Sequence, residues 1–215
     1  MNEGRAAFIA ANTEIQNLDL LPEIQLHLAS ENMAIWQMSE AERATAGVPL
    51  PYWAFAWAGG QALARYLLDH PQLVSGKRLL DVGAGSGLEA IAAAMVGAHV
   101  VAADTDLFAV TATEMNAALN GVALVATMED PIDGVGDWDV VMVGDLFFEQ
   151  PLARHLEAWL RGLHRKGVEV LIGDPQRIYL SRVGLEKRAS YAVPTTSALE
   201  DSDLRNASVW RMVDV

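Results

Sequence analysis

A glycine-rich stretch between Arg78 and Gly87, RLLDVGAGSG, carries the strongest chemical signal in the sequence. A short apolar run ends at Asp81, and Gly83, Gly85 and Gly87 then alternate with alanine and serine before an alanine-rich run begins. Glycine tolerates positive φ and has no Cβ, and the first turn of a helix offers unpaired N–H groups. The pattern predicts a strand, a glycine turn and a helix, with the turn open to close approach by a ligand.

The spacing of these glycines bears on which ligand the turn would take. A dinucleotide-binding turn requires G-x-G-x-x-G, and the third position of that pattern would fall on Leu88. The sequence D-x-G-x-G-x-G after apolar residues instead resembles motif I of the S-adenosylmethionine-dependent methyltransferases. A glycine-rich turn that binds no ligand is the alternative when such a motif stands alone.

An acidic residue follows the next apolar run. His99–Ala103 predicts a buried strand that ends at Asp104, about twenty residues beyond the glycines, where α/β nucleotide sites place a carboxylate on the ribose hydroxyls. Asp104 and Thr105 could instead belong to the cap of the next helix. Because the glycine turn and the acid occur together at this spacing, we predict an adenosine-type cofactor. The cofactor contacts predicted in these two segments are Asp81, Gly83, Gly85, Gly87, Asp104 and Thr105.

The residues after the third predicted strand form a further candidate contact. In nucleotide-binding folds of this type a carboxylate or backbone group at this position typically meets the adenine amino group. Met128 and Glu129 are therefore predicted cofactor residues, with Asp130 as an alternative to Glu129. Loop acids that contact no ligand are the other interpretation.

Aromatic residues crowd the segment from 49 to 60, PLPYWAFAWAGG, just before the first predicted core helix. One interpretation is a hydrophobic plug that covers the end of the sheet. A cofactor lid or a channel for a lysine side chain would require the same aromatic surface. On the second interpretation, Trp57 contacts the cofactor directly.

An acid beside aromatic residues leaves the carboxyl end of the fourth predicted strand, in the sequence GDLFFE. In a doubly wound sheet the strand order reverses between the first and fourth strands, so this end faces the ligand crevice. We predict Asp145 and Phe148 as catalytic residues and Gly144 as a cofactor contact. The alternative role for Asp145 is the N-cap of a helix at Gln150–Arg165.

Strand-like and helix-like segments alternate through the chain. The predicted strands are the run ending at Asp81, His99–Ala103, 122–126, 138–143 and 168–173, then a hairpin of 185–193 and 207–213; the predicted helices are 61–69, 88–96, Leu107–Leu119 and Gln150–Arg165. This order predicts an α/β protein with a Rossmann-like, seven-stranded mixed sheet and a C-terminal antiparallel hairpin. We predict one catalytic domain, residues 51–215, on which an N-terminal extension, residues 1–50, packs.

Composition narrows the kinds of site that the chain can carry. It has 215 residues and no cysteine, which excludes disulfides, cysteine-ligated zinc and thiol catalysis. The five histidines lack metal-ligand spacing, so no metal site is predicted. No apolar stretch reaches the roughly twenty residues of a membrane helix, and the start lacks the pattern of a secretory signal, so we expect a cytoplasmic protein without a membrane partner.

The charge balance bears on the partner. The chain has 28 acidic and 15 basic residues, a formal net charge of −13. Nucleic acids are held mainly by basic residues that neutralise phosphates, so the negative electrostatic potential of this chain disfavours a nucleic-acid substrate. The same potential attracts a basic partner, including a protein surface that carries lysine.

Four segments, PYWAFAWAGGQALARYLLDHP, LLDVGAGSGLEAIAAA, GDLFFE and IGDPQRIYL, together resemble the seven-β-strand protein lysine methyltransferases. The resemblance runs from about residue 21 onward and is greatest to the group that modifies the β subunit of electron transfer flavoprotein. It implies a class I methyltransferase fold, S-adenosylmethionine as donor, S-adenosylhomocysteine as product, and a lysine ε-amine of that subunit as acceptor.

The resemblance also assigns residues. The D/E-x-x-Y/F motif of the family falls on Asp145 to Phe148, its tryptophan on Trp57 and its ribose acid on Asp104. Two positions depart from the pattern: Ala58 stands where proline is expected, and position 148 is phenylalanine where tyrosine is as common, so no hydroxyl acts there.

A lysine methyltransferase must deliver a neutral amine, because the ammonium form, with a pKa of about 10.4, has no lone pair. Desolvation between aromatic walls and a neighbouring sulfonium both lower that pKa, whereas Asp145 opposes them. We therefore expect Asp145 to orient the amine and relay its proton, and Phe148 to wall the channel. The alternatives are a methyltransferase for a small molecule or nucleic acid, including ribosomal-protein or RNA modification, and a non-catalytic binding module.

Overall fold

A seven-stranded sheet organises the residues that the computed structural model describes, which are 3–30, 33–38, 41–42, 50–195 and 203–214. Two N-terminal strands, β1 (Glu14–Leu18) and β2 (Leu21–Leu28), form a separate small sheet. The strands of the large sheet are β3 (Arg78–Val82), β4 (His99–Ala103), β5 (Val125–Thr127), β6 (Val140–Gly144), β7 (Glu169–Asp174), β8 (Leu185–Pro194) and β9 (Leu204–Met212). The helices are α1 (Glu3–Asn12), α2 (Ala34–Gln37), α3 (Ala58–Asp69), α4 (Leu88–Met95), α5 (Leu107–Leu119) and α6 (Gln150–Arg165).

The order of the large sheet is β5-β4-β3-β6-β7-β9-β8. The strands β5, β4, β3, β6 and β7 run parallel, with Leu80 aligned to Val101 on one side and to Val141 on the other. The strand β9 inserts antiparallel between β7 and β8. The strand order reverses between β3 and β6, which places a crevice at their carboxyl ends. The predicted α/β class, mixed sheet and C-terminal hairpin are confirmed.

Helices cover both faces of this sheet. On one face, α3 and α4 pack through side chains such as Leu63 and Ala90. On the other face, α6 packs through Leu156 and Leu160 against Val143. Because parallel strands are buried on both faces, β3 and β6 are apolar nearly throughout rather than alternating.

Some predicted boundaries were wrong for local reasons. The third strand begins at Val125 and not at residue 122, because Val122 is bound back to α5 through a hydrogen bond from its N–H to Ala117 O, 3.0 Å long. The helix α3 begins at Ala58, so the glycine pair lies inside it. The N-cap of α6 is Glu149, so the alternative cap role for Asp145 is wrong.

The N-terminal segment lies against α5. The Nε of Arg5 donates to Thr111 Oγ1 at 3.2 Å, and the backbone N–H of His27 donates to Asn116 Oδ1 at 2.8 Å. The buried side chain of Ile24 packs in the same cluster as Ile91 of α4. The division of the chain at residue 50 stays a prediction.

None of the described helices combines the length and hydropathy that a membrane span requires.

Candidate active site

The glycine turn follows β3 directly. Gly83, Gly85 and Gly87 all have positive φ, at 71°, 55° and 80°. A Cβ on Gly83 would lie 2.8 Å from the side chain of Leu146, and one on Gly87 would lie 2.9 Å from Thr113 Cγ2. The backbone conformation therefore favours glycine at all three positions, and the packing adds to this at Gly83 and Gly87.

A cavity of about 550 Å³ opens at the carboxyl ends of β3, β4 and β6, within the size range of small-molecule sites. The structure brings eight of the residues predicted from the sequence to its lining: Trp57, Gly83, Gly85, Asp104, Thr105, Gly144, Asp145 and Phe148. Their roles stay predictions, but their shared location is what the strand order required.

Four predicted site residues lie outside this lining. Asp81 is buried beneath the turn, where burial and the charge of Glu89 raise its pKa well above the ordinary value. Gly87 lies against α5. Met128 and Glu129 are exposed beyond the cavity, whereas the alternative acid, Asp130, lines it.

Asp104 is held rigidly at the edge of the turn. Its Oδ2 accepts a hydrogen bond from Gly85 N and its Oδ1 accepts one from Asp106 N, each 2.9 Å long. Burial raises the pKa of Asp104, which these backbone N–H groups counteract. Each carboxylate oxygen keeps a further lone pair, so the group suits the two hydroxyl donors of a ribose. The cap of α5 is not Asp104 but Asp106, which accepts from Phe108 N at 2.8 Å.

Asp145 is a buried carboxylate held from two sides. Its Oδ2 accepts hydrogen bonds from Gly59 N and Gly60 N at the start of α3, the second 3.3 Å long. Its Oδ1 accepts from Arg177, at 2.9 Å from Nε and 2.7 Å from Nη2. A helix N-terminus and a guanidinium both favour a negative charge. The φ of Asp145 is 58°, an unusual value outside glycine that turns the side chain toward α3.

The close approach of α3 to the sheet depends on small residues. A Cβ on Gly59 would overlap the carbonyl oxygen of Gly173 and would lie 2.5 Å from Asp145 Oδ2. Gly59 therefore allows the first turn of α3 to reach the carboxylate.

Sequence reasoning missed three charged residues around Asp145. Burial, with the charge of Asp145 acting in the same direction, raises the pKa of Glu89 to about 7 and that of Asp174 to about 7. Arg177 lines the cavity, and its backbone N–H donates to Asp174 Oδ1 at 2.8 Å. The position of residues 174–177 in the sequence could have indicated Asp174 and Arg177. These residues lie at the carboxyl end of β7, which is the neighbour of β6 in the sheet, and the crevice opens at that edge.

Aromatic rings form one wall of the cavity. The ring of Tyr52 lies 5.8 Å from that of Phe148 and 5.8 Å from that of Trp57, and the Trp57 indole donates to Tyr52 O at 2.9 Å. Phe148 is 40% exposed, so it forms the rim rather than the floor. Tyr52 was in the aromatic segment but had been assigned no role.

The sheet order, the glycine turn and the acid at its edge define a class I S-adenosylmethionine-dependent methyltransferase. The fold is similar to that of magnesium protoporphyrin IX methyltransferase from Synechocystis, which was solved with S-adenosylmethionine bound. The two structures superpose with a TM-score of 0.54 at 14% sequence identity, and the match covers 83% of this chain and 88% of that chain. Residues 62–154 match the family model of the ribosomal protein L11 methyltransferase (PrmA).

Sequence relatives narrow the class to a family. The electron transfer flavoprotein beta subunit lysine methyltransferase of Danio rerio is 40% identical over 213 residues, which cover 95% of this chain and 81% of that protein. The Homo sapiens protein of the same name is 39% identical over 214 residues, which cover 95% of this chain and 80% of that protein. The chain belongs to the family of electron transfer flavoprotein beta subunit lysine methyltransferases. The resemblance, the enzyme class and the cofactor predicted from the sequence are confirmed.

The residues present fit S-adenosylmethionine. Gly83 and Gly85 expose the backbone of the turn to the cavity, and Asp104 at its edge supplies acceptors for a ribose. The aromatic wall provides an apolar surface beside them. Gly83, Gly85, Asp104 and Trp57 are the residues that would hold the cofactor.

Proposed function

We propose that this protein transfers methyl groups from S-adenosylmethionine to lysine side chains of the electron transfer flavoprotein β subunit. The observation that carries the proposal is the 40% identity that extends over 95% of the chain, well beyond the cofactor motif. The arrangement of Asp145 and Phe148 at one cavity supports it, since both belong to the acceptor side of the predicted site.

On the cofactor side, the chain contributes binding and orientation. Gly83 and Gly85 let the backbone approach the ligand, and Asp104 fixes the ribose from the edge of the turn. When it is bound, S-adenosylmethionine supplies the methyl group: the amine lone pair forms the new C–N bond while the C–S bond breaks and its electrons remain on sulfur.

On the acceptor side, the chain selects the neutral amine and positions it. The rings of Tyr52 and Phe148 exclude water from the lysine side chain, which disfavours the ammonium form, and the proton leaves to solvent before transfer. Asp145 orients the nitrogen. Its carboxylate also accepts hydrogen bonds from Gly59 N, Gly60 N and Arg177, of which the one from Gly60 N, at 3.3 Å, is long.

Mass spectrometry of the subunit tests the proposal. The purified protein is incubated with S-adenosylmethionine and recombinant flavoprotein β subunit, and intact mass followed by peptide mapping reports methyl groups and their lysines. We expect whole-methyl mass increases confined to lysine peptides. In a parallel arm, tritiated donor is incubated with cell lysate that is fractionated into protein, nucleic acid and small molecules. An unmodified subunit together with label in another fraction contradicts the proposal.

The cytoplasmic location of the protein and the absence of nucleic-acid and membrane partners stay predictions. The acidic net charge of −13 supports a lysine-bearing protein acceptor over RNA.

A further inference from the structure

We propose that Arg177 is a positioning residue that compensates the charge of Asp145, so that the acceptor lysine is held at this carboxylate as a neutral amine. The inference rests on the proposed function, because it concerns the lysine that this site would accept. Arg177 belongs to the segment IGDPQR, which follows the carboxyl end of β7.

The geometry that points to this role is a paired carboxylate inside the cavity. Both Arg177 and Asp145 line the cavity, and they lie 32 residues apart in sequence. The guanidinium places Nε and Nη2 on the same oxygen, Oδ1, at 2.9 and 2.7 Å. The pair is largely removed from solvent, with 19% of the Arg177 side chain and 8% of the Asp145 side chain exposed.

The need for this pairing follows from the reaction. An uncompensated buried carboxylate attracts the nearest cation, and next to a lysine it would stabilise the ammonium form. The ammonium cannot react, because it has no lone pair. With Arg177 as its permanent counter-ion, Asp145 keeps its acceptor oxygens but contributes little net negative charge to an incoming side chain. A guanidinium stays protonated at every working pH, so the compensation does not vary with pH.

Other charged groups face Asp145 and bear on the pH dependence. Glu89 approaches from α4, Asp174 from the end of β7, and the N–H groups of Gly59 and Gly60 from α3. Both acids ionise near pH 7, which adds negative charge around Asp145 above that pH. Among these described groups, Arg177 is the side-chain cation, so its removal takes away the guanidinium charge that offsets the acids and leaves the N-terminus of α3.

The variant Arg177→Gln tests the role through a pH–rate profile on the flavoprotein β subunit. Without Arg177, the acceptor ammonium becomes the counter-ion of Asp145, so we expect the alkaline rise of kcat to move up by about one pH unit. The KM for the acceptor should fall or stay unchanged while kcat at neutral pH falls. Arg177→Lys should return the profile most of the way toward wild type.

A matched control is Arg182→Gln in the same loop. The Arg182 guanidinium lies over the Trp210 ring at 5.6 Å and does not line the cavity, so its loss should leave the profile unchanged. An equal loss of kcat at every pH in Arg177→Gln, with no displacement of the profile, assigns Arg177 a merely structural role and overturns the proposal.

A measurement without turnover separates this inference from the proposed function. Urea unfolding at neutral pH compares wild type, Arg177→Gln, Asp145→Asn and the double variant. Removing either partner leaves the other buried group without its ion pair, so we expect the double variant to lose clearly less free energy of unfolding than the sum of the two single losses. If the wild type leaves the flavoprotein subunit unmodified, the proposed function fails, and this cycle alone decides the pairing: additive losses overturn it.

Discussion

The carboxylate of Glu89 lies directly against Gly144, so closely that a Cβ on Gly144 would overlap Glu89 Oε1. A Cβ on Gly60 would also lie 2.6 Å from the same atom. Two glycines, Gly60 at the start of α3 and Gly144 at the end of β6, thus make room for a buried acid that senses the charge of Asp145. The burial of Glu89 has a cost that depends on pH.

We expect Glu89→Gln to stabilise the protein at alkaline pH. The folded-state pKa of Glu89 is raised from 4.5 to about 7, so the native state keeps this proton while the unfolded chain releases it. The stability of the wild type therefore falls as pH rises from 4.5 through about 7, by up to about 3 kcal/mol. The variant lacks this loss, so its Tm should exceed that of the wild type at about pH 8 and match it near pH 4.

Thermal unfolding followed by circular dichroism over this pH range measures the effect. Glu14→Gln is the control, because Glu14 is exposed on β1 and its removal should leave the curve unchanged. Parallel Tm curves for Glu89→Gln and wild type would show that Glu89 is not protonated in the folded state.

We expect Asp145→Asn to lower kcat for methyl transfer by about 100-fold or more, the effect of misplacing the acceptor nitrogen that this carboxylate orients. Cofactor affinity should change little, because the carboxylate contacts α3 and Arg177 rather than the glycine turn. Single-turnover assays and calorimetry with S-adenosylhomocysteine separate the two quantities. Glu149→Gln, an exposed acid four residues away, is the control, and turnover retained in Asp145→Asn would refute the role.

We expect Asp104→Ala to weaken S-adenosylhomocysteine binding by roughly 10- to 100-fold, the effect of losing one or two hydrogen bonds to a charged acceptor. Turnover at saturating cofactor should be largely retained, since the Asp104 carboxylate contacts the backbone of Gly85 and Asp106 and takes no part in orienting the acceptor nitrogen. Calorimetry measures the affinity. An unchanged dissociation constant would remove Asp104 from the cofactor site.

Two glycine substitutions should have opposite effects on stability. In Gly173→Ala, the new Cβ would overlap the carbonyl oxygen of Gly59 and lie 2.9 Å from Leu63 Cβ, so we expect a loss of about 2–3 kcal/mol. In Gly162→Ala, within α6, the Cβ meets nothing closer than Arg165 Nη2 at 4.0 Å. There we expect a gain of about 1 kcal/mol from helix propensity. Urea unfolding measures both, and a neutral Gly173→Ala would show that α3 can shift away from the sheet.

Much of the fold could be predicted because its signals are local. The helices Leu107–Leu119 and Gln150–Arg165 and the strand His99–Ala103 were predicted with the bounds observed. Their apolar periods, and the turn residues that flank them, lie within the segments themselves. The third strand was misplaced because a contact with the preceding helix, and not its own composition, decides where it starts.

The sequence by itself determined the element order, the glycine turn and the acids that follow β4 and β6, because short-range spacing encodes all three. Only the tertiary structure decided which acids reach the cavity: Asp104 and Asp145 do, whereas Asp81 lies beneath the turn and Glu129 beyond it. It also decided the pairing of Asp145 with Arg177. Such pairings depend on which side chains converge when separate segments pack, and a linear pattern carries no record of those distances.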